Sequence, residues 1–232
     1  MMRLSLIGLM VLLVCPPGYG LTGVRAQAAA VGKPAYVGRF RQHHRESQKI
    51  GVGTVVLVAP SWALTAGHVA SFKIKNPNGG KSEVLFQGGK LIRTVKEIHK
   101  ARGVDVALLK LDRPIGKKSV GPAACMTPGF TKQDGRVKFT SVGRSGVHRN
   151  RFGKGSGASF SHAADKGGNR PGKAGDSGGA WVIERQGKPD VLFAIIHGGG
   201  KGPQVAPLRG WMDKKIKATG QQVTWVAKGQ VK

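Results

Sequence analysis

Short apolar runs, separated by glycine, proline, asparagine and charged residues, fill most of the chain between Tyr36 and Val205. Short strands that alternate with turn signals are typical of an all-β barrel or sandwich. Helical spacing of apolar residues occurs near the end of the chain, at Leu208, Trp211, Met212 and Ile216. The predicted strands are Ala35–Phe40, Gly53–Val58, Val84–Phe86, Leu91–Ile98, Val106–Leu111, Val137–Val142, Ala180–Ile183, Val191–Ile196 and Val205–Pro207.

The first residues have the pattern of a secretory signal. A basic start at Arg3 precedes an apolar run from Leu4 to Val14. This run is shorter than the ~20 apolar residues that a membrane-spanning helix needs. Cleavage is predicted after Ala28, the last residue of the small-x-small sequence AQA. We therefore expect residues 1–28 to be removed and the protein to be exported, to the periplasm or the extracellular space.

The remaining chain has two comparable halves. Their predicted boundary is the stretch Gly116–Asp134, which contains Pro122, Pro128 and Gly129 and has no strong periodic pattern. Each half is long enough to bury a core of its own. Cys125 is the only cysteine beyond the signal, so no intramolecular disulfide is expected.

The formal net charge of the chain is +27. Such an excess attracts polyanions, acidic proteins and anionic surfaces. Gly143–Lys173 is rich in glycine and basic residues, and it is interpreted as a long functional or mobile loop. Because its basic residues are not interleaved with aromatic ones and no recognition motif is present, specific nucleic-acid binding is not expected.

Ser177 lies in the sequence GDSGG, Gly175–Gly179, which fits the loose pattern G-x-S-x-G. An esterase of the α/β-hydrolase type would place its acid and histidine after the serine and a helix directly behind it. The strands here do not alternate with helices, so that alternative is disfavoured. The opposite order, with histidine and aspartate before serine, is tested by the upstream sequence.

Two residues upstream complete a catalytic set. His68 follows the apolar run SWAL in the sequence TAGH, and Asp105 precedes the apolar strand in DVALLKL. Taken singly, His68 is interpreted as a buried histidine and Asp105 as a turn residue. Together with GDSGG they favour the catalytic interpretation, at spacings of 37 and 72 residues.

Through TAGH, DVALLKL and GDSGG in this order, the chain resembles the chymotrypsin-like (trypsin-like) serine peptidases. The resemblance implies an all-β fold of two six-stranded antiparallel β-barrels with a short C-terminal helix. It implies an N-terminal barrel over 29–120, a linker over 121–133, a C-terminal barrel over 134–207 and a terminal helix and tail over 208–232. The catalytic cleft is expected between the barrels.

The resemblance also implies a role for each residue of the site. His68 takes the proton of the Ser177 hydroxyl during attack, and Asp105 orients His68. The backbone N–H groups of Gly175 and Ser177 form the oxyanion hole. Asp176 resembles the residue that pairs with a freed amino terminus in zymogen activation. Because the first strand begins so soon after the predicted cleavage site, no zymogen switch of that type is expected.

The predicted substrate pocket contains Pro171, Gly172, Lys173, His197, Gly198 and Gly199. No carboxylate stands in NRPG before Lys173, so a preference for lysine or arginine is not supported. The IHGGG context of His197 is similar to that of bacterial glutamyl endopeptidases, which implies an acidic residue at P1. A structural histidine in a small-residue pocket is the alternative, and both stay open.

The expected function is a secreted serine endopeptidase that prefers acidic or small P1 residues. The expected partners are a polypeptide substrate and an anionic envelope or acidic protein surface, and the expected state is a monomer. No cofactor and no metal are expected, since His43 and His44 lack a second ligand pair at usable spacing. The alternative function is a catalytically silent relative that acts as a cationic binding module.

Overall fold

The structure is a computed structural model that describes residues 32–43, 50–71, 81–162 and 173–231. The predicted signal peptide with its cleavage site lies outside the described residues, as do His44, Pro171 and Gly172. None of the helices in the described part of the chain is long and apolar enough to cross a membrane.

The first half forms a closed barrel of six antiparallel strands, in the order β1-β2-β3-β6-β5-β4. The predicted six-stranded barrel is therefore confirmed for this half. The last three residues of the run SWAL begin β3, which is buried along its whole length and is paired with a strand on each of its edges. The strands are β1 Val37–His43, β2 Ile50–Ala59, β3 Trp62–Ala66, β4 Ser82–Phe86, β5 Leu91–Lys100 and β6 Val106–Leu111.

The second half forms an eight-stranded curled sheet, in the order β13-β10-β9-β8-β11-β12-β7-β14. A backbone bridge from Ala194 to Gln204 brings the end of β12 to the chain just beyond β13. Strands β8 to β13 form a curled antiparallel part of this sheet rather than the closed six-stranded barrel that was expected. The sheet is extended because β7 pairs in parallel with β12, and β14 pairs in parallel with β7. The strands are β7 Ala124–Thr127, β8 Val137–Gly143, β9 Gly146–Ser156, β10 Ser159–His162, β11 Ala180–Ile183, β12 Val191–Ile195, β13 Lys201–Pro203 and β14 Trp225–Ala227.

Strands β9 and β10 lie in the segment that was interpreted as a long loop, so that interpretation is wrong for residues 146–162. The cause is glycine at inward positions of β9. A Cβ atom at Gly153 would overlap the ring of Phe160, and one at Gly155 would overlap the backbone of Phe130. Because the ring of Phe160 and the backbone of Phe130 fill the space of the missing side chains, the alternation of apolar and polar residues does not show in the sequence.

Aromatic rings make up the core between these strands. Phe160 and Phe193 pack edge to face with ring centroids 4.8 Å apart, and Phe139 contacts both of them. Trp181 of β11 packs on the same cluster, and its indole N–H donates to the hydroxyl of Ser141 at 3.1 Å. The core thus buries large rings while the one indole donor keeps a partner.

The end of the chain ties the second half to the first. Residues Val205–Pro207 were predicted as a strand, but Ala206–Leu208 form a 3₁₀ turn that leads into helix α1, Arg209–Lys217. Pro207 accounts for the difference, because its ring removes a backbone donor that a strand would use. Beyond the helix, Thr219 accepts a hydrogen bond from the indole of Trp62 at 3.0 Å.

A buried tyrosine also joins the two halves. The Tyr36 hydroxyl, just before β1, donates to the carboxylate of Asp190 at 2.6 Å, next to β12. Burial, together with this carboxylate, raises the pKa of Tyr36 above its usual value. The phenol therefore stays protonated and keeps its role as donor.

Candidate active site

His68 and Asp105 lie at adjoining ends of two paired strands. Strands β3 and β6 are antiparallel, with Ala66 opposite Val106. His68 is two residues beyond the end of this pairing on β3, and Asp105 directly precedes it on β6. Their proximity is therefore a consequence of the strand register.

Both oxygens of the Asp105 carboxylate contact His68. Oδ2 lies 2.7 Å from Nδ1 of the ring, and Oδ1 accepts the backbone N–H of His68 at 2.7 Å. A Cβ atom at Gly67 would approach Oδ1 to 2.9 Å, which explains the glycine of TAGH. The carboxylate holds the Nδ1–H tautomer of His68, so that Nε2 is the atom able to accept a proton.

Ser177 lies in the turn that precedes β11, and this turn is bonded to the first barrel through Thr54 of β2. The backbone N–H of Thr54 donates to the carbonyl of Ser177 at 2.9 Å. The hydroxyl of Thr54 donates to the carbonyl of Gly175 at 2.7 Å. Thr54 thus holds the nucleophile turn against the barrel that carries His68 and Asp105.

The close approach of the nucleophile turn to β2 requires glycine at two positions of GDSGG. Gly178 has φ +86°, and a Cβ atom there would overlap the carbonyl of Thr54 and the hydroxyl of Thr65. Gly175 has φ +91°, a conformation that other residues seldom adopt. The turn can therefore lie against β2 only with glycine at these positions.

Sequence reasoning missed Thr54. The residue lies in the apolar stretch GVGTVV, and only 2% of it is exposed. A buried hydroxyl on an apolar strand needs a hydrogen-bond partner. A threonine within this apolar stretch was therefore the signal that could have indicated a structural hydrogen bond from Thr54.

The predicted oxyanion-hole donors differ from their neighbours in hydrogen bonding. The N–H of Asp176 donates to the carbonyl of Lys173 at 2.9 Å, and that of Gly178 donates to the carbonyl of Ile196 at 2.8 Å. Within the described part of the chain, the N–H groups of Gly175 and Ser177 have no backbone acceptor. Two donors on alternate residues of one turn can therefore bind a developing oxyanion.

Asp176 is buried beneath the nucleophile turn and has partners within the chain. Its carboxylate accepts the backbone N–H and the hydroxyl of Ser145 at 2.6 and 2.7 Å, and the backbone N–H of Lys173 at 2.6 Å. A Cβ atom at Gly143 would lie 2.6 Å from Oδ1, so glycine is needed there too. Three donors satisfy this buried carboxylate without a chain terminus.

His148 lies next to the cradle of Asp176, which is the set of donors from Ser145 and Lys173 around the Asp176 carboxylate. Its Nε2 lies 3.3 Å from the hydroxyl of Ser145. Burial, with a further contribution from the charge of Arg151, lowers the pKa of His148 below its ordinary value. Burial and Arg151 therefore favour the neutral form of His148, although the nearby charge of Asp176 opposes this effect.

His197 lies against the catalytic residues rather than apart from them. Its Nε2 is 3.0 Å from Oδ2 of Asp105, and its ring stands at 88° to that of His68 with centroids 5.3 Å apart. Its carbonyl accepts the hydroxyl of Ser177 at 3.0 Å. The sequence placed His197 in the substrate pocket, whereas the structure also places it beside Asp105 and Ser177.

The remaining described pocket residues form the rim. Lys173 is exposed, and Gly198 and Gly199 begin the turn between β12 and β13 at φ +149° and +57°. A backbone bridge joins Gly198 to Lys201. The two glycines place no side chain in the space beside His197.

Two imidazoles and one carboxylate meet at this site. His68, Asp105 and His197 each offer one metal-ligating atom, and these atoms lie within 4.8 Å of one another. No metal site was predicted, because residues 37 and 92 positions apart carry no spacing signal.

A comparison with protein families agrees with this architecture. The family model described as Trypsin matches residues 31–208, which include the first barrel, strands β7 to β13 of the second half and all the residues of the site. No curated protein gives a significant match to the chain.

Proposed function

The chain belongs to the trypsin family, and we propose that it is an active serine endopeptidase with the triad His68, Asp105 and Ser177. The observation that carries this proposal is the pair of 2.7 Å hydrogen bonds between Asp105 and His68. They hold the one tautomer of His68 that can take a proton from Ser177. A binding module has no use for that arrangement.

The chemistry follows the geometry. On substrate binding, the Ser177 hydroxyl turns from the carbonyl of His197 to Nε2 of His68 and attacks the scissile carbonyl. His68 takes the proton and later delivers it to the leaving amine, while Asp105 stabilises the imidazolium. The N–H groups of Gly175 and Ser177 stabilise the oxyanion, and each such donor lowers the barrier by about 3–4 kcal/mol.

A P1 preference for acidic or small residues is part of the proposal. Gly198 and Gly199 leave room for a small side chain, and Lys173 offers a positive charge at the rim. His197 contributes less directly, because its Nε2 proton is engaged by Asp105. A neutral His197 then has only an acceptor left, so it binds a substrate carboxylate only when doubly protonated.

The internal partners of Asp176 support the expectation that no amino terminus is needed for activation. Export after removal of residues 1–28 and a monomeric state are also proposed, on the signal pattern and the chain length. The net charge of +27 supports attraction to anionic surfaces or acidic proteins.

Covalent labelling of the purified mature protein with a fluorophosphonate probe tests the proposal. We expect one label per chain at Ser177, and no label in Ser177→Ala or His68→Ala. Ser161→Ala is the matched control, because Ser161 is exposed on β10, outside the site. A folded wild-type protein that takes no label would contradict the proposal and would favour the cationic binding module.

A further inference from the structure

We propose that His68, Asp105 and His197 bind one Zn²⁺ ion and that the bound ion inhibits the enzyme reversibly. Binding depends only on the three side chains. The inhibitory consequence rests on the function proposed above.

The three donor atoms already lie within 4.8 Å of one another, with the carboxylate oxygen in contact with both nitrogens. Oδ2 of Asp105 lies 2.7 Å from Nδ1 of His68 and 3.0 Å from Nε2 of His197. In a tetrahedral zinc site with bonds of about 2.0–2.2 Å, ligand atoms are about 3.3–3.5 Å apart. Rotations that open these two contacts by about 0.3–0.8 Å therefore make room for the ion.

The donor set favours zinc over the hard cations. Two imidazole nitrogens and one carboxylate oxygen are the protein ligands of many zinc sites, in which water takes the fourth position. Calcium and magnesium prefer all-oxygen surroundings. The two nitrogens and one oxygen at this site therefore favour a metal ion that is borderline between hard and soft, such as zinc.

The ligands are held in place and open to solvent. Oδ1 of Asp105 is bound by the backbone N–H of His68, which leaves Oδ2 for the ion. The side chains of His68 and His197 are 46% and 48% exposed. An ion can therefore reach all three ligands without opening of the fold.

Inhibition follows from the tautomer of His68. Metal binding at Nδ1 requires the lone pair of that nitrogen, so the single proton of the neutral ring moves through solvent to Nε2. Nε2 is the atom that must accept the proton of Ser177. With zinc at Nδ1 it carries a proton of its own. The Nε2 proton of His197 moves to Nδ1 of that ring in the same way, so no proton is gained or lost overall.

Calorimetric titration of the mature Ser177→Ala protein with zinc chloride tests binding without any catalysis. We expect one ion per chain, and at least about tenfold weaker binding when His197→Gln is added. His99→Gln is the matched control, since His99 also contacts a carboxylate, that of Glu97 at 2.9 Å, but lies away from the site. Absence of saturable binding, or equal affinity in the His197 variant and its parent, would overturn the proposal.

A spectroscopic measurement keeps the test independent of the folding of the His197 variant. Co²⁺ added to the Ser177→Ala protein should give the intense visible absorption of a low-coordinate site with nitrogen ligands. The weak spectrum of hexa-aquo cobalt at saturating protein would overturn the proposal.

The labelling rate at Ser177 tests inhibition separately. Zinc should suppress labelling of the wild-type protein, a chelator should restore it, and His197→Gln should remove most of the effect. Zinc binding with unchanged labelling would overturn the inhibitory part. Absence of labelling before zinc is added would contradict the proposed function, while the calorimetric result would still stand.

Discussion

The first barrel and the second sheet hold their catalytic groups in different ways. In the first barrel, His68 and Asp105 are at the ends of paired strands, and the register of β3 and β6 brings them together. In the second sheet, Ser177 lies on a turn, which is held by Thr54 from outside and by the buried carboxylate of Asp176 from beneath. Strand pairing alone positions a residue at the end of a strand, whereas a residue on a turn is positioned by tertiary contacts on both sides of the turn.

The largest effect is expected at the strand-end pair. Asp105→Asn removes the charge and favours the wrong tautomer of His68, so kcat should fall by about 10⁴-fold with little change in KM. Steady-state hydrolysis of a peptide ester measures it. Asp112→Asn, on the exposed end of β6, is the control and should keep wild-type kinetics. A loss below about tenfold would mean that register alone orients His68.

The next effect concerns the nucleophile turn. Gly178→Ala should lower the free energy of unfolding by at least about 3 kcal/mol, because its Cβ overlaps Thr54 and Thr65 at a positive φ. Gly187→Ala is the matched control. Its φ is +64° but nothing lies within 4 Å, so backbone strain alone should cost about 1–2 kcal/mol. Urea unfolding compares the two, and equal losses would show that the turn is not packed against β2.

Thr54→Val tests the contact between the halves. Loss of the hydroxyl leaves the carbonyl of Gly175 without this donor, so stability should fall by about 1 kcal/mol. Labelling of Ser177 should also slow, because the turn is less firmly held. Thr54→Ser keeps the hydroxyl and should restore the labelling rate. If valine and serine label equally fast, the backbone bond of Thr54 to Ser177 is sufficient.

The smallest effect concerns His148 beside the cradle of Asp176. Because its pKa is lowered in the folded state, the unfolded chain binds more protons as the pH falls below about 6.5. Stability should therefore decrease from pH 7 towards pH 5, and His148→Gln should make this decrease shallower. Urea unfolding across that range, referred to pH 8 for each protein, measures the difference. Parallel curves would exclude His148 as a contributor.

The same contrast explains which elements could be predicted. Strand β6 was predicted with its observed ends, because five apolar residues among the six between Asp105 and Asp112 leave one interpretation. Strand β9 was missed because its inward glycines give no hydrophobic signal. Strands β7 and β14 are short, and their parallel pairing with distant segments has no local signature.

The sequence by itself determined the all-β character of the protein and the proposal of His68, Asp105 and Ser177 as the triad, because these depend on local apolar periodicity and on short motifs. Tertiary structure decided the roles of Thr54, Asp176 and His197. Each of them acts through hydrogen bonds to residues far away in the chain, and only folding brings such partners within 3 Å. The proximity of two imidazoles to one carboxylate was decided at the same level, because β3, β6 and the end of β12 meet only in the folded protein.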